Sequence, residues 1–399
     1  MTTSEVFNYD EPVKDVGIER CQYYAYNPII VKGTLLKNDG AAYANTDVIS
    51  LINNGIMYLF DRISYKLSST DVETIDNPGV ATTMLGLLKY SNNFQVSKGL
   101  NQLWYKDFST TASLTDNVGF AIRQGVIIQK PTTKGAFSFR IPLNHIFGFC
   151  DNYDKSVFGF IQTLTLTRGS DNNAIFRANN VVAGKVVLDK VALYIPQLDP
   201  SFEQESKLLS MISSKVTIQS AYRERRLNSI AVPQTTLFNW QLSPKASFER
   251  PRYVIVGFQT NKLLDQTTNP SLFDHCDLQN MQVVVSNKNY PELNYNLSFP
   301  NMKYSLAYGT ASDFSEKFYK TSDLITNGNI LYTEYRDLFP IMVFDVSNQR
   351  KRLDSSIVNI SINATFNTVV PANTMAYALI ISDKLLNFRS DGNRFTQIH

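Results

Sequence analysis

Three groups of side chains in this sequence have types and spacings that could do chemistry. The densest is Asp274-His275-Cys276-Asp277. A zinc or iron centre needs three or four convergent His, Cys or carboxylate ligands. Only His145 or a distant cysteine could complete one here, because the chain has 3 histidines and His399 is its last residue. Adjacent residues rarely reach one ion together, so the stretch reads as a loop ahead of a strand, with Cys276 buried. Asp151-Asn152-Tyr153-Asp154 suggests calcium, but no further carboxylate follows at loop spacing and no glutamate stands at the twelfth position. It reads as a loop or a helix end. Arg223-Glu224-Arg225-Arg226 and Arg350-Lys351-Arg352 could contact phosphate. The alternative is solvated loops or ion pairs between subunits. It is favoured, because a nucleic-acid face usually raises the charge of its whole domain.

The remaining signals are weaker. Phe248, Tyr253 and Phe258 could line a ligand cleft, but at strand spacing they read as core or interface packing. Glycosylation sequons stand at Asn296, Asn359 and Asn363, two of them on an expected strand. The patterns GxxxxGK[ST], GxSxG, HExxH and GxGxxG are missing, so nothing marks a nucleophile, a phosphate loop or a zinc helix. No catalytic, cofactor-binding or metal residue is therefore assigned, and the chain is expected not to be an enzyme.

Composition agrees with that reading. The chain has 399 residues, enough for two domains with sizeable cores. Lys+Arg 38 against Asp+Glu 35 leaves +3, which excludes a strongly basic nucleic-acid coat and an acidic solvating tail. Charged residues make up only 18%, while 25 Phe, 21 Tyr and 36 Asn are present. Such a mixture suits strands joined by polar turns, with much surface that meets protein rather than water. Cys21, Cys150 and Cys276 lie far apart with no CxxC, which fits a reducing compartment rather than a disulfide scaffold. The polar start Met1-Thr2-Thr3-Ser4-Glu5 lacks the features of a signal peptide, and no apolar run is long enough for a membrane span.

The elements that would position these residues fall into two similar halves. Residues 1–27 are irregular and read as an N-terminal arm. A first β domain is expected over 28–198. Its strand candidates are Ile56–Leu67, Phe120–Gln129, Ala136–Ile141, Phe160–Thr167 and Gly184–Ile195. A helical pattern runs from Val80 to Tyr90 behind the turn Asp76-Asn77-Pro78-Gly79, and Pro142–Phe149 suits one or two helical turns. A linker helix, with Ser201 and Gln204 in capping-box spacing, lies within 199–216. The second β domain covers 217–385 and a tail covers 386–399. Strand candidates there are Val216–Gln219, Thr235–Leu242, Tyr253–Phe258, Met281–Ser286, Leu293–Phe299, Phe339–Val346, Ile357–Phe366 and Thr374–Ser382. A helix is expected near 309–321. In the clearest strand, Val358, Ile360, Ile362, Ala364 and Phe366 alternate with polar residues, as in an antiparallel sandwich. The halves also end alike: FIQTLTLTR and KVALYIP in the first match VNISINATF and MAYALIIS in the second. The fold class is all-β, two tandem jelly-roll sandwiches joined by a short helical linker, with short helices in loops.

Particular segments resemble a known family. Asn53–Leu67 followed by Asp76–Gly79, Ile141–Gly148, Leu164–Arg168 with Asp171–Ala174, Tyr194–Pro196, Arg250–Gln259 and Phe273–Leu278 are similar to double jelly-roll major capsid proteins. The nearest likeness is to those of Polinton elements and adintoviruses, over roughly residues 50–385. The chain is shorter than many eukaryotic relatives, which implies short loop decorations. The resemblance implies a non-enzymatic homotrimer whose six sandwiches make a pseudo-hexagonal tile of an icosahedral shell around double-stranded DNA. It implies no cofactor. The implied partners are further copies, minor capsid and penton proteins, and non-specific contact with packaged DNA. It places the protein in a virion assembled inside a host cell, not secreted. The arm 1–27 would reach another subunit, and the helix at 309–321 and loops 91–118 and 260–277 would lie in capping or contact regions. Two rivals come from other classes: a trimeric attachment or carbohydrate-binding β protein with a Tyr- and Asn-lined pocket, and a metal-dependent cupin-like enzyme, which the scarce ligands disfavour.

Overall fold

A computed structural model describes residues 18–22, 28–153, 157, 160–195, 197–214, 217–242, 250–320, 330–348, 359–390 and 395–398. The first half contains β1 (Ile18–Gln22), β2 (Pro28–Lys37), β3 (Ile49–Leu51), β4 (Phe60–Leu67), β5 (Thr70–Asp76), β6 (Ala136–Pro142), β7 (Gln162–Arg168), β8 (Ile175–Arg177), β9 (Gly184–Leu193) and β10 (Gln197–Pro200). A helix, Phe202–Ser213, leads to the second half. There follow β11 (Thr217–Ala231), β12 (Leu237–Leu242), β13 (Arg250–Thr260), β14 (Leu278–Val285), β15 (Lys288–Tyr290), β16 (Met342–Asp345), β17 (Ile360–Phe366), β18 (Thr374–Ser390) and β19 (Phe395–Ile398).

The second half shows the architecture most clearly. Its strands β11 to β18 form two antiparallel sheets, β11-β18-β13-β16 and β12-β17-β14-β15. Lettered B to I in chain order, these are B-I-D-G and C-H-E-F, the interleaving that two Greek keys produce in a jelly roll. Alternation drives it. On β12 Phe238, Trp240 and Leu242 are buried while Leu237, Asn239 and Gln241 face out. β17 sets Ile362, Ala364 and Phe366 against the core in the same way.

The first half repeats this plan in part. β2 pairs with β9 as β11 pairs with β18, first strand with last. The order β7-β4-β5 matches β17-β14-β15. The paired patterns at the ends of the halves therefore fall on corresponding strands, β7 with β17 and β9 with β18. β6 completes a β6-β2-β9 sheet, and β3 pairs with β8. One continuous cluster of buried apolar residues runs through both halves.

Five expectations change. The tail does not begin at 386, because β18 runs on to Ser390 with Leu386 and Phe388 buried, and β19 pairs with it. Phe120–Gln129 is not a strand but lies mostly in a helix, Val118–Ile127. The Asn117 side chain accepts the Phe120 N–H, and Phe120, Arg123, Gln124 and Ile127 are buried at helical spacing, which outweighs the β-branched residues. Ile56–Leu67 is split: a helical turn, Gly55–Tyr58, precedes β4, entered through left-handed Asn54. Leu293–Phe299 forms no strand; Asn296 is left-handed, and only Ser298 makes an isolated bridge, to Lys303. The helix at 309–321 is two, Ser305–Ser312 and Phe314–Tyr319, stopped by left-handed Lys320.

Candidate functional site

The metal-capable residues are held apart. The His275 ring stacks on Phe299 at 4.7 Å, and its Nδ1 accepts the Asp277 N–H at 2.8 Å. Asp274 pairs with Lys262 at 2.5 Å and accepts the Thr260 N–H. Cys276 is buried beside the Thr260 hydroxyl, and burial pushes its thiol up to about 11. His145 lies elsewhere, its ring nitrogens at 2.9 Å from the Tyr90 hydroxyl and 3.1 Å from Asn54 Oδ1. Among the described residues no group of three or more potential ligands converges. Asp154, Phe248 and Arg350-Lys351-Arg352 lie outside the described residues. Tyr253 and Phe258 do not share a stripe: Tyr253 packs edge-on to Phe314 and Phe318, and Phe258 packs on Phe366. Asn363 of the sequons bonds Asn239 across the strand pair.

The Arg223–Arg226 cluster is neither a phosphate patch nor a solvated loop. It sits in the middle of β11, where the two halves meet. The Arg225 guanidinium is buried and donates to the carbonyls of Asn144, His145 and Ile146 at 3.0–3.2 Å and to Asp151 at 2.5 Å. Its backbone N–H donates to Glu73 at 2.8 Å. The same carboxylate accepts the N–H groups of Gly148 and Phe149 at 3.1 and 3.0 Å. Asp151 also takes Lys89 at 3.2 Å, whose ammonium lies 4.6 Å from the Tyr319 ring centre. Arg223 stacks its guanidinium over Phe318 at 4.5 Å. Beside this, the Tyr222 hydroxyl and Lys384 both donate to the Val72 carbonyl, at 2.6 and 3.1 Å, and Lys384 pairs with Glu224 at 2.8 Å.

Burial sets the titration of this seam. Desolvation raises Glu73 to about 7 against the pull of Arg225 and three N–H donors, and it depresses His145 to about 3. Asp151 is paired with Arg225 and Lys89, Glu224 with Lys384, and Glu73 is met by three N–H donors, which offsets the cost of burying them. Among the described residues the arrangement presents no exposed nucleophile or base and no group of three potential metal ligands. Its chemistry is that of a clamp between two sandwiches.

A second clamp lies in the loops 91–118 and 260–277, which meet each other. Asp107 and Arg123 are fully buried and pair at 2.7 Å. Asp107 also accepts from Asn117 at 2.9 Å, Asn269 at 3.0 Å and Ser271 at 3.4 Å. Lys106 reaches Glu334 at 2.5 Å. The helix Phe314–Tyr319 packs near the helix Pro78–Lys89 through Tyr319 and Lys89. Sequence reasoning passed over Glu73, Asp107, Arg123 and Lys106. No local pattern marks them: Glu73 stands in DVETID and Lys106-Asp107 in WYKDF, like ordinary surface charges.

One concavity of about 370 Å³ opens on the outer face of β12-β17-β14-β15. Its polar lining is Asn239, Asn280, Gln282, Asn294, Asn363 and Thr365, all uncharged. The ring beneath, Phe238, is buried.

These features define a class: a tandem pair of jelly rolls sealed by buried polar clamps. The profile of the double jelly roll-like domain matches residues 49–386, and the chain belongs to that family. In structure it is similar to a chain of the Sputnik virophage (TM-score 0.56, 9% identity), over 99% of this chain and 91% of that one. It is also similar to the mavirus major capsid protein (TM-score 0.50, 12% identity), over 96% and 87% of the two chains. A chain of the PBCV-1 virus capsid matches at TM-score 0.50 and 9% identity, over 97% and 94%. No curated protein matches in sequence. At these identities the likeness is one of fold. No helix among the described residues is long and apolar enough to cross a membrane.

Proposed function

We propose that this chain is the major capsid protein of an icosahedral double-stranded DNA virus or virus-like mobile element, and that it works as a homotrimer of six sandwiches tiling the shell. The observation that carries the reading is the fusion of two jelly rolls into one body with a shared core and buried clamps, over nearly the whole length of the capsid chains it resembles. A tile needs a rigid subunit, and the polar seam fixes one relative placement of its halves. The work of such a protein is association, which suits a surface low in charge. Contact with packaged DNA, minor capsid proteins and penton proteins belongs to the same reading, as does the reach of residues 1–27 to a neighbour.

Light scattering after size exclusion, with negative-stain images of the same peak, tests it. A particle near three times 45.2 kDa with a hexagonal outline, or closed shells, supports the proposal. A stable monomer at every salt and pH would end it.

A further inference from the structure

Within the chain, the edge strand β5 of the first half lies against the pair β11–β18 of the second. At its centre Tyr222 and Lys384, which stand opposite one another across that pair, both donate to the Val72 carbonyl on β5. Each partner in this contact has a counterpart that no strand of the other half pairs or covers among the described residues. The counterpart of β5 is β15, last in the order β17-β14-β15 as β5 is last in β7-β4-β5. The counterpart of β11–β18 is β2–β9, again first strand with last.

On β2–β9 the residues standing opposite one another are Lys32 and Lys190, both exposed. Neither makes a hydrogen bond or ion pair among the described residues; Lys190 only approaches the Tyr194 ring at 5.9 Å. Two like charges opposed across a strand pair destabilise a sheet unless an acceptor faces them. On the other side, β15 ends its sheet with an unpaired edge among the described residues, next to Leu293, which is 81% exposed. Such an edge is a template for covering by another chain. The face behind it is the neutral amide row of Asn239, Asn363 and Gln282, and depletion of charge marks an interface core.

We infer that the β15 edge of one copy docks on the β2–β9 face of the next, with Lys32 and Lys190 donating to it as Tyr222 and Lys384 donate to β5 within the chain. The occupant of both surfaces is a second copy of this chain. The contact is heterologous, and in the proposed trimer its threefold repetition closes a ring in which jelly rolls meet alternately within and between chains. This rests on the proposed assembly and names the surfaces that make it.

Cysteines placed at Lys32 and Asn289 test the pairing. Full-length K32C/N289C, oxidised in the oligomer peak, is expected to give covalent multimers on a denaturing gel, whereas K32C alone, N289C alone and the unsubstituted chain do not. K32E/K190E is expected to keep the monomer's circular dichroism and melting temperature and to lose the oligomer at least tenfold in concentration dependence. A trimer that forms without this cross-link, or one that K32C alone links, overturns the contact while leaving the assembly standing. Failure of the unsubstituted chain to associate at all overturns both.

Discussion

The Glu73 carboxylate accepts the backbone N–H of Arg225 at 2.8 Å, and these two residues belong to different halves of the chain. Glu73 stands on β5 and Arg225 on β11, 152 residues further on. The bond gives a buried carboxylate of the first half a backbone donor from the second, so each half supplies partners for polar groups buried in the other.

Truncating either residue leaves buried polar groups short of partners. Glu73→Ala strands three N–H donors, and Arg225→Met strands three carbonyls and leaves Asp151 with Lys89 as its remaining cation. Each is expected to cost about 3–5 kcal/mol in denaturant unfolding. The double variant should cost less than the sum, because the two share a network. Strict additivity would show that the seam is not one unit.

The seam also shapes the pH dependence of stability. Glu73 is raised from 4.5 to about 7, so the folded chain holds that proton more tightly than the unfolded chain. Its contribution is complete below pH 4.5 and is lost as pH rises through 7. His145 is depressed from 6.5 to about 3, so its contribution is complete above pH 6.5 and is lost as pH falls toward 3. The two slopes oppose each other between these limits, and stability should be nearly level there. Melting temperatures across the range will show the alkaline fall removed in Glu73→Gln and the acidic fall removed in His145→Asn. An unchanged profile in both variants counts against the assignment.

At Gly148 the backbone of the first half lies directly against that of β11. A Cβ there would lie 1.7 Å from the Arg223 carbonyl oxygen, a backbone atom with no room to move. Gly148→Ala is therefore expected to wedge the helix Gly148–Asn152 off β11 and to lower the melting temperature by several degrees, while Gly125→Ala, which meets nothing within 4 Å, changes it little. Comparable effects at the two positions would contradict the close packing of the seam.

Chelation distinguishes the packed reading of Asp274–Asp277 from a metal centre. With His275 stacked on Phe299 and Asp274 paired with Lys262, excess EDTA should leave the melting temperature unmoved. A fall reversed by added zinc or iron would restore the metal reading.

Much of the architecture was legible without coordinates. Alternation at Ile360–Phe366 and Leu237–Leu242 marked half-buried strands, because side chains on a strand face opposite ways at period two. The matching ends of the halves marked a duplicated sandwich. The clamps were not legible. Arg225 in RERR reads as a solvated charge, and Glu73 in DVETID as an ordinary strand residue, until the fold sets one against the other. Helix Val118–Ile127 was missed for a related reason: β-branched residues hide a 3.6-residue spacing that only burial of Phe120, Arg123, Gln124 and Ile127 makes decisive. Local pattern determined which residues turn inward and how many sandwiches form. Tertiary structure alone decided which charges are buried together, because desolvation and pairing depend on neighbours brought from the other half of the chain.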